Sequence, residues 1–309
     1  PGGVAVVELG AAGDARPDAS FNDLPQPVIL HKGKWVALVG LPLDAGAGTH
    51  TLRISSAAGE RSLPLTIRDK HYPTQNLRIA DDRMVTPPPE LEARIAAEQQ
   101  RISEWKRHYS TGREPDMRFD LPASGRRSAR FGVKRVLNGE PRSPHGGLDV
   151  AVGVGAPLRA PAAGTVLAVA DLYFAGKTVV IDHGRGALTL YAHLSRADVA
   201  EGKSLARGEV FGASGVSGRI TGPHLHWVVM LGGAAVDPEL FLPLDADELS
   251  QLLFTRNDDL PEGMQRLPVK SVKINKCPAL APRNTLDNEA AERIALDLDA
   301  CHRHWQALC

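Results

Sequence analysis

The stretch KTVVIDHGRGALTLY, residues 177–191, decides the fold class of this chain. Two runs rich in β-branched and apolar residues, 177–183 and 187–191, flank a short turn that contains two glycines, as neighbouring strands do. Similar runs occupy 164–169 and 226–230, and no helical pattern alternates with them. The sequence therefore predicts a β domain over residues 116–245. It argues against a parallel nucleotide-binding sheet, which needs strands alternating with helices.

The N-terminal part of the chain has the same β character. Short apolar runs at 4–9, 27–30, 35–39, 50–54 and 63–67 are separated by turn-forming residues, which predicts a small antiparallel β-sandwich over residues 1–85. Three prolines then follow Thr86, and Leu91, Ile95, Ile102 and Trp105 recur at helical spacing. We therefore expect residues 86–115 to form a linker helix between two domains.

Composition excludes several classes of protein. The 36 basic and 36 acidic residues balance, which argues against a protein held mainly by nucleic-acid phosphates. A hydrophobic content of 43% argues against a disordered chain. The apolar runs are too short to cross a bilayer, so no membrane span is predicted. No pattern in the sequence indicates an oligomeric state.

The last residues, 246–309, differ from the rest and predict a partly helical C-terminal extension. Apolar positions between Leu286 and Leu308 indicate a final helix. On one continuous helix Cys301 and Cys309 would lie roughly 12 Å apart, whereas a disulfide needs Cα atoms within roughly 7 Å. Any disulfide would then join Cys277 to one of them, which weakly indicates an oxidising compartment.

Three short motifs in the second β region carry the chemistry. They are HGGLD at 145–149, YAHLS at 191–195 and GPHLH at 222–226. On a strand, His224 and His226 point to the same side, which suits a metal ligand beside a catalytic partner, or two ligands. If the two glycines of the first motif let the backbone turn, His145 and Asp149 can converge on one ion.

His145, Asp149 and His226 together offer two imidazole nitrogens and one carboxylate oxygen. Three protein ligands with an open fourth position are typical of catalytic zinc, whereas structural zinc sites are closed, usually by cysteine. The three cysteines all lie beyond residue 276, away from these motifs. The sequence therefore predicts a catalytic Zn²⁺ site.

These motifs resemble those of the lysostaphin/LytM-type zinc metalloendopeptidases, which act on peptidoglycan. The resemblance covers about residues 124–243 and also includes RFG at 130–132 and APAAG at 160–164. One departure is that Trp227 and Val228 stand where many members have Phe-Glu. The β region 1–85 and its following helix resemble the N-terminal part of Gram-negative members.

The resemblance implies an antiparallel β catalytic domain and a role for each motif residue. His145, Asp149 and His226 would bind zinc, while His193 and His224 would flank the metal as catalytic residues. The implied activity is hydrolysis of peptide cross-links or stem peptides of peptidoglycan through a metal-activated water. An alternative is a non-catalytic peptidoglycan-binding regulator of other wall hydrolases, against which the complete ligand set argues.

The resemblance also implies an exported protein, periplasmic or secreted, because peptidoglycan lies outside the cytoplasm. The chain starts at Pro1 without an initiator methionine or an apolar leader. We expect either that a signal peptide has been removed or that the N-terminus has been trimmed.

Overall fold

The structure, a computed structural model, describes residues 1–12 and 15–243. This part is mostly β, as predicted, and has one α-helix, α1 Glu92–Lys106. The first strands are β1 Val4–Ala11, β2 Asp18–Phe21, β3 Leu24–Gln26, β4 Val28–His31, β5 Lys34–Gly40, β6 Gly48–Ser56 and β7 Gly59–Ile67. The next are β8 Thr74–Leu77, β9 Arg126–Ala129, β10 Lys134–Leu137, β11 Glu140–Arg142, β12 Leu148–Ala151, β13 Pro157–Arg159 and β14 Gly164–Leu172. The last are β15 Gly176–Gly184, β16 Ala187–Ala197, β17 Ser204–Leu205, β18 Val210–Ser214, β19 Leu225–Leu231 and β20 Ala234–Val236.

The N-terminal strands form the predicted sandwich. One sheet has the order β1-β5-β4 and the other β3-β2-β6-β7, and all of their pairings are antiparallel. Strand β6 alternates as a half-buried strand does: Leu52 and Ile54 are buried, and Arg53 between them is exposed. Their side chains and Phe21 fill the space between the two sheets.

Strand β5 belongs to two cores at once. Ala37 and Val39 point into the sandwich, whereas Val36 and Leu38 pack into the core of the second β region. At Gly40 an added Cβ would lie 2.2 Å from the carbonyl oxygen of Leu231, so the end of β5 contacts the end of β19 directly. Residues 1–242 accordingly form one compact unit. The boundaries at residues 85, 115 and 245 stay predictions.

The helix starts later than the sequence pattern suggests and packs on a sheet. Three successive prolines cannot continue a hydrogen-bonded helix, and a 3-10 turn, Pro89–Leu91, precedes α1. Ile102 and Trp105 contact buried residues of β14, β15 and β16. One face of the large sheet is thus buried by α1, which explains why its strands are apolar on both faces.

A ten-stranded sheet forms the second β region. Its main order is β17-β14-β15-β16-β19-β12-β9, with β13, β18 and β20 attached beside it, and every pairing is antiparallel. Trp227 points to the main core, whereas Val228 and Met230 point to the face that α1 covers. By alternation, His226 lies on the α1 face, at the N-terminal end of β19.

A small separate sheet borders this end. Strand β8 runs parallel to β10, and β10 runs antiparallel to β11. The described part of the chain has no helix long and apolar enough to span a bilayer. The predicted C-terminal extension, its final helix and its three cysteines lie outside the described residues.

Candidate metal centre

Two neighbouring strands bring two of the three predicted ligands, Asp149 and His226, together. Strand β12 runs antiparallel to β19, with Asp149 directly opposite His226. Residues opposite each other on antiparallel strands share a sheet face, so the carboxylate and the imidazole meet there. Their neighbours Leu148 and Trp227 are fully buried in the main core on the other face. Trp227, the departure from the family pattern, therefore packs in the core and does not line the site.

His145 reaches this pair because the chain passes very close to β19 just before β12. At Gly147 an added Cβ would lie 2.5 Å from the carbonyl oxygen of Trp227 and 2.9 Å from Cε1 of His226. At Gly146 nothing lies within 4 Å. Of the two glycines in the motif, only Gly147 is required by the close contact between this segment and β19.

Three ligand-type atoms meet at one point. Nε2 of His145 lies 2.9 Å from Oδ1 of Asp149 and 2.9 Å from Nδ1 of His226. That Nδ1 lies 2.7 Å from the same carboxylate oxygen. His145 is almost wholly buried, as is Asp149, and His226 is partly exposed. The site is thus open to solvent on the His226 side.

The chemistry of these donors fits a bound cation. Nδ1 of His145 lies 2.9 Å from the carbonyl oxygen of Arg130, which can only accept, so Nδ1 donates. Nε2 of the neutral ring then carries a lone pair that faces the carboxylate oxygen of Asp149. Two lone pairs at this distance repel each other unless a positive charge lies between them. A metal ion held by His145, Asp149 and His226 satisfies all three atoms.

Asp149 is held in its charged form. Burial opposes ionisation, but hydrogen bonds from protonated His145 and His226 rings would outweigh it and hold the pKa of this carboxyl well below its ordinary value, and a bound cation would act in the same direction. Its second oxygen, Oδ2, accepts a hydrogen bond of 2.9 Å from Nη2 of Arg135. One oxygen therefore faces the two histidines while Arg135 anchors the other, an arrangement that fixes the orientation of a metal-binding carboxylate.

His193 enters the site through a β-bulge. Its φ is 65°, a left-handed value that is uncommon outside glycine, and the register between β15 and β16 shifts here. Its backbone N–H donates to Ala175 at 2.9 Å, and Nδ1 donates to the carbonyl of Ser217 at 2.8 Å. The ring centroid lies 6.0 Å from that of His226. The bulge thus aims a side chain that regular alternation would place elsewhere.

His224 stands just before β19, in an isolated bridge with Gly215. Its Nδ1 donates to the carbonyl of Gly222 at 2.8 Å, and its Nε2 lies 3.8 Å from Oδ1 of Asp149. Its ring centroid is 4.9 Å from that of His193. His224 and His226 therefore both face Asp149, as the alternation predicts.

Both flanking rings present an unprotonated nitrogen to the site. Because Nδ1 of His193 and Nδ1 of His224 donate to backbone carbonyls, each neutral ring carries its lone pair on Nε2. Burial, with the nearby rings of His226 and His224, lowers the pKa of His193 to about 3. His193 is therefore neutral at neutral pH and can accept a proton there.

Arg135 contacts the site, although no motif in the sequence predicts it. It lies ten residues before His145 in a run with several other arginines, and nothing in its spacing distinguishes it from them. Its guanidinium contacts Asp149 only because the fold brings β10 near β12. His183, in contrast, is fully buried away from the site, where it lies 2.9 Å from the carbonyl oxygen of Ala163 and 2.8 Å from Oγ1 of Thr189.

Three family profiles match the chain. Peptidase family M23 matches residues 143–238, and the Peptidase family M23 N-terminal domain matches residues 1–70. The Exonuclease I SH3-like domain matches residues 229–309, of which 229–243 are described and lie in β19, β20 and the turn after them. A solved structure of a Pseudomonas aeruginosa protein described as a peptidase M23 is 38% identical, with a TM-score of 0.66. The match covers 78% of this chain and 93% of that one.

Curated relatives match the part that contains the site. The peptidoglycan DD-endopeptidase ShyA of Vibrio cholerae is 36% identical over 121 residues, which are 39% of this chain and 28% of the relative. The DD-carboxypeptidase/endopeptidase Mpg of Neisseria meningitidis is 42% identical over 107 residues, 35% of this chain and 24% of the relative. The match thus spans about a quarter of the length of these curated relatives.

Proposed function

The chain belongs to peptidase family M23, and from this premise we propose that it is a zinc-dependent endopeptidase that hydrolyses peptide bonds of peptidoglycan. The observation that carries the proposal is the convergence of His145, Asp149 and His226 on one point, with two further imidazoles facing it. The relatives named as peptidoglycan endopeptidases support the choice of substrate.

We assign the metal to His145, Asp149 and His226. Two neutral imidazole nitrogens and one carboxylate oxygen are the ligand set of catalytic zinc in hydrolases. When bound, Zn²⁺ supplies a Lewis acid that polarises the amide carbonyl and lowers the pKa of a water molecule toward neutrality. Arg135 holds the carboxylate of Asp149 in a fixed orientation through its hydrogen bond to Oδ2.

His193 and His224 would transfer protons between the attacking water and the leaving amine. Each offers a lone pair on Nε2, so each can accept a proton from the attacking water. Once protonated, the same nitrogen can donate to the amine that leaves, or to the oxygen on which charge develops. The carbonyls of Ser217 and Gly222 hold the two rings in this tautomer through Nδ1. We propose that the two histidines share these tasks.

The predicted alternative, a non-catalytic regulator, gains no support. Such a protein has no need of ordered catalytic histidines, whereas His193 is held here in an uncommon backbone conformation that turns it toward the site. An enzyme that acts on peptidoglycan works outside the cytoplasm, so we propose a periplasmic or secreted location.

Digestion of purified sacculi tests the proposal. We expect the full chain to release soluble fragments, a chelator to stop release, and added Zn²⁺ to restore it. Fragment masses should show new peptide termini, with the sugar–peptide bond intact. Release that survives the chelator, or fragments cut between sugar and peptide, would contradict the proposed activity.

A further inference from the structure

Three arginines lie beside the candidate metal centre. Arg135 is on β10, Arg142 is at the end of β11, and Arg219 is in the loop between β18 and β19. All three side chains are partly exposed. None belongs to the ligand set or to the flanking histidines.

Strand pairing brings the first two together. Arg135 lies directly opposite Arg142 in the antiparallel β10–β11 pair, so both side chains leave the same face of this small sheet. Arg135 reaches the metal centre itself, with Nη2 2.9 Å from Oδ2 of Asp149. The β10–β11 pair thus presents two guanidiniums next to the candidate ligands.

The segment Met84–Val85 holds the side chains of both Arg142 and Arg219. Nη2 of Arg142 donates to the carbonyl of Val85 at 2.9 Å, and Nη1 of Arg219 donates to the carbonyl of Met84 at 3.2 Å. The guanidinium of Arg219 also lies 4.4 Å from the ring centroid of Phe174. Two successive carbonyl groups therefore orient two guanidiniums without neutralising either charge.

The positive charges here are poorly compensated. Asp149 faces two histidines as well as Arg135, and Glu140 lies 3.7 Å from Arg142 but is mostly exposed. Arg219 makes no ion pair with any residue of 1–12 and 15–243. Burial and the positive charges of Arg135 and Arg142 lower the pKa of Arg219, as expected where like charges gather. Such a cluster favours binding of an anion.

We propose that Arg142 and Arg219, beside Arg135, form a subsite for a free carboxylate of the substrate, next to the bond that is cut. Guanidinium groups bind carboxylates through paired N–H donors, which makes them selective for this group. The proposal rests on the proposed function, since it concerns the substrate of the same site.

The chemistry of peptidoglycan says which carboxylate fits. In an amide between two D-centres, the carbon that carries the leaving nitrogen also carries a carboxylate, a few bonds from the reacting carbonyl. A glycine bridge has no such group at an internal bond. The subsite therefore selects amides whose leaving amine bears a neighbouring carboxylate, and it disfavours glycine cross-bridges.

A matched pair of substrates tests this. One is a cross-linked muropeptide dimer with a free carboxylate beside the scissile amide, and the other is the same dimer with that group converted to a carboxamide. We expect wild-type protein to have a kcat/KM at least tenfold higher for the carboxylate. Arg142→Gln and Arg219→Gln should each reduce this ratio at least threefold, mainly through KM, and Arg219→Lys should retain more of it.

Arg159→Gln is the control variant, because Arg159 donates to Gly208 on the surface and takes no part in the cluster. It should keep the wild-type ratio. The subsite would be contradicted if wild-type protein had equal kcat/KM values for both dimers, or if both glutamine variants kept the wild-type ratio. Neither result would contradict the proposed endopeptidase activity.

Binding to chelator-treated protein separates the subsite from the proposed activity. We expect the carboxylate dimer to bind at least fivefold more tightly than the carboxamide, and Arg219→Gln to remove the difference. This result without hydrolysis by the zinc-loaded protein would support the subsite and overturn the enzyme. Equal binding of the two dimers would count against the subsite.

Discussion

At the scale of single residues, hydrogen bonds to backbone carbonyls determine which nitrogen each imidazole offers. His145, His193 and His224 each donate from Nδ1 to a main-chain oxygen, so each directs Nε2 toward Asp149 or its surroundings. Main-chain acceptors cannot be exchanged by side-chain substitution. The tautomers are therefore set by the fold as a whole.

Replacing His193 should strongly reduce turnover and preserve the fold. In His193→Gln the amide keeps a polar group in place but cannot accept and release a proton near neutral pH. We expect turnover on a soluble muropeptide to fall about 100-fold or more. His31→Gln, at an exposed position on β4, is the control and should match wild-type protein. Activity within a few-fold of wild type would show that His193 does not transfer protons.

His183 should make stability depend on pH. Burial lowers its pKa from 6.5 to about 4, so between these values the unfolded chain binds a proton that the folded chain rejects. The free energy of unfolding should therefore fall as pH falls from 6.5 to 4, with a contribution from His183 of about 3 kcal/mol, and this loss should cease below the folded pKa.

Denaturant unfolding from pH 7 to pH 4 measures this contribution, with His183→Asn as the comparison. The asparagine can still donate to Ala163 but does not titrate, so its curve should be flatter by that amount. Parallel curves for the two proteins would exclude His183 as the source.

At the scale of elements, the β12–β19 pair forms the candidate metal centre. This arrangement requires the backbone at Gly147 to lie very close to the backbone of β19. Gly147→Ala would push a methyl group against the carbonyl of Trp227, forcing the two strands apart. We expect a loss of about 1–3 kcal/mol in the free energy of unfolding and weaker metal binding.

Gly146→Ala is the matched control for this pair, because nothing lies within 4 Å of its added methyl group. Thermal unfolding and chelator competition measure the two effects. If both alanine variants behaved alike, the close approach would not be what positions His145.

Prediction from sequence succeeded where a pattern is local. The runs at 177–183 and 187–191 lie within β15 and β16, and the alternation in GPHLH correctly turns His224 and His226 to one side. The bulge at His193 depends on neighbouring strands, so regular alternation could not indicate it. Arg135 could not be predicted for the same reason, since its contact with Asp149 arises only when the fold brings β10 near β12.

At the scale of the whole molecule, the N-terminal sandwich and the large sheet interlock. Gln26 is buried and bonds to both: Nε2 donates to the carbonyl of Gly232, and Oε1 accepts from the N–H of Gly40. Together with the two faces of β5, this contact joins the regions that the sequence predicts as separate domains. The pattern of apolar residues on β5 gave no indication of which core each face serves.

Gln26→Ala should weaken this junction. It leaves buried backbone groups without partners, so we expect the free energy of unfolding to fall by about 1–3 kcal/mol. Gln99→Ala, at an exposed position on α1, should change it little. Equal stability of the two variants in denaturant titrations would show that the Gln26 contacts contribute nothing net.

Metal content tests the central claim most directly. Elemental analysis of purified wild-type protein should give one zinc per chain. His145→Ala, Asp149→Ala and His226→Ala should each lose it, whereas His193→Ala and His224→Ala should retain it, since their nitrogens flank the ion without binding it. Wild-type protein without zinc after loading, or loss of zinc from the two flanking variants to the same extent as from His226→Ala, would contradict the assignment of this centre.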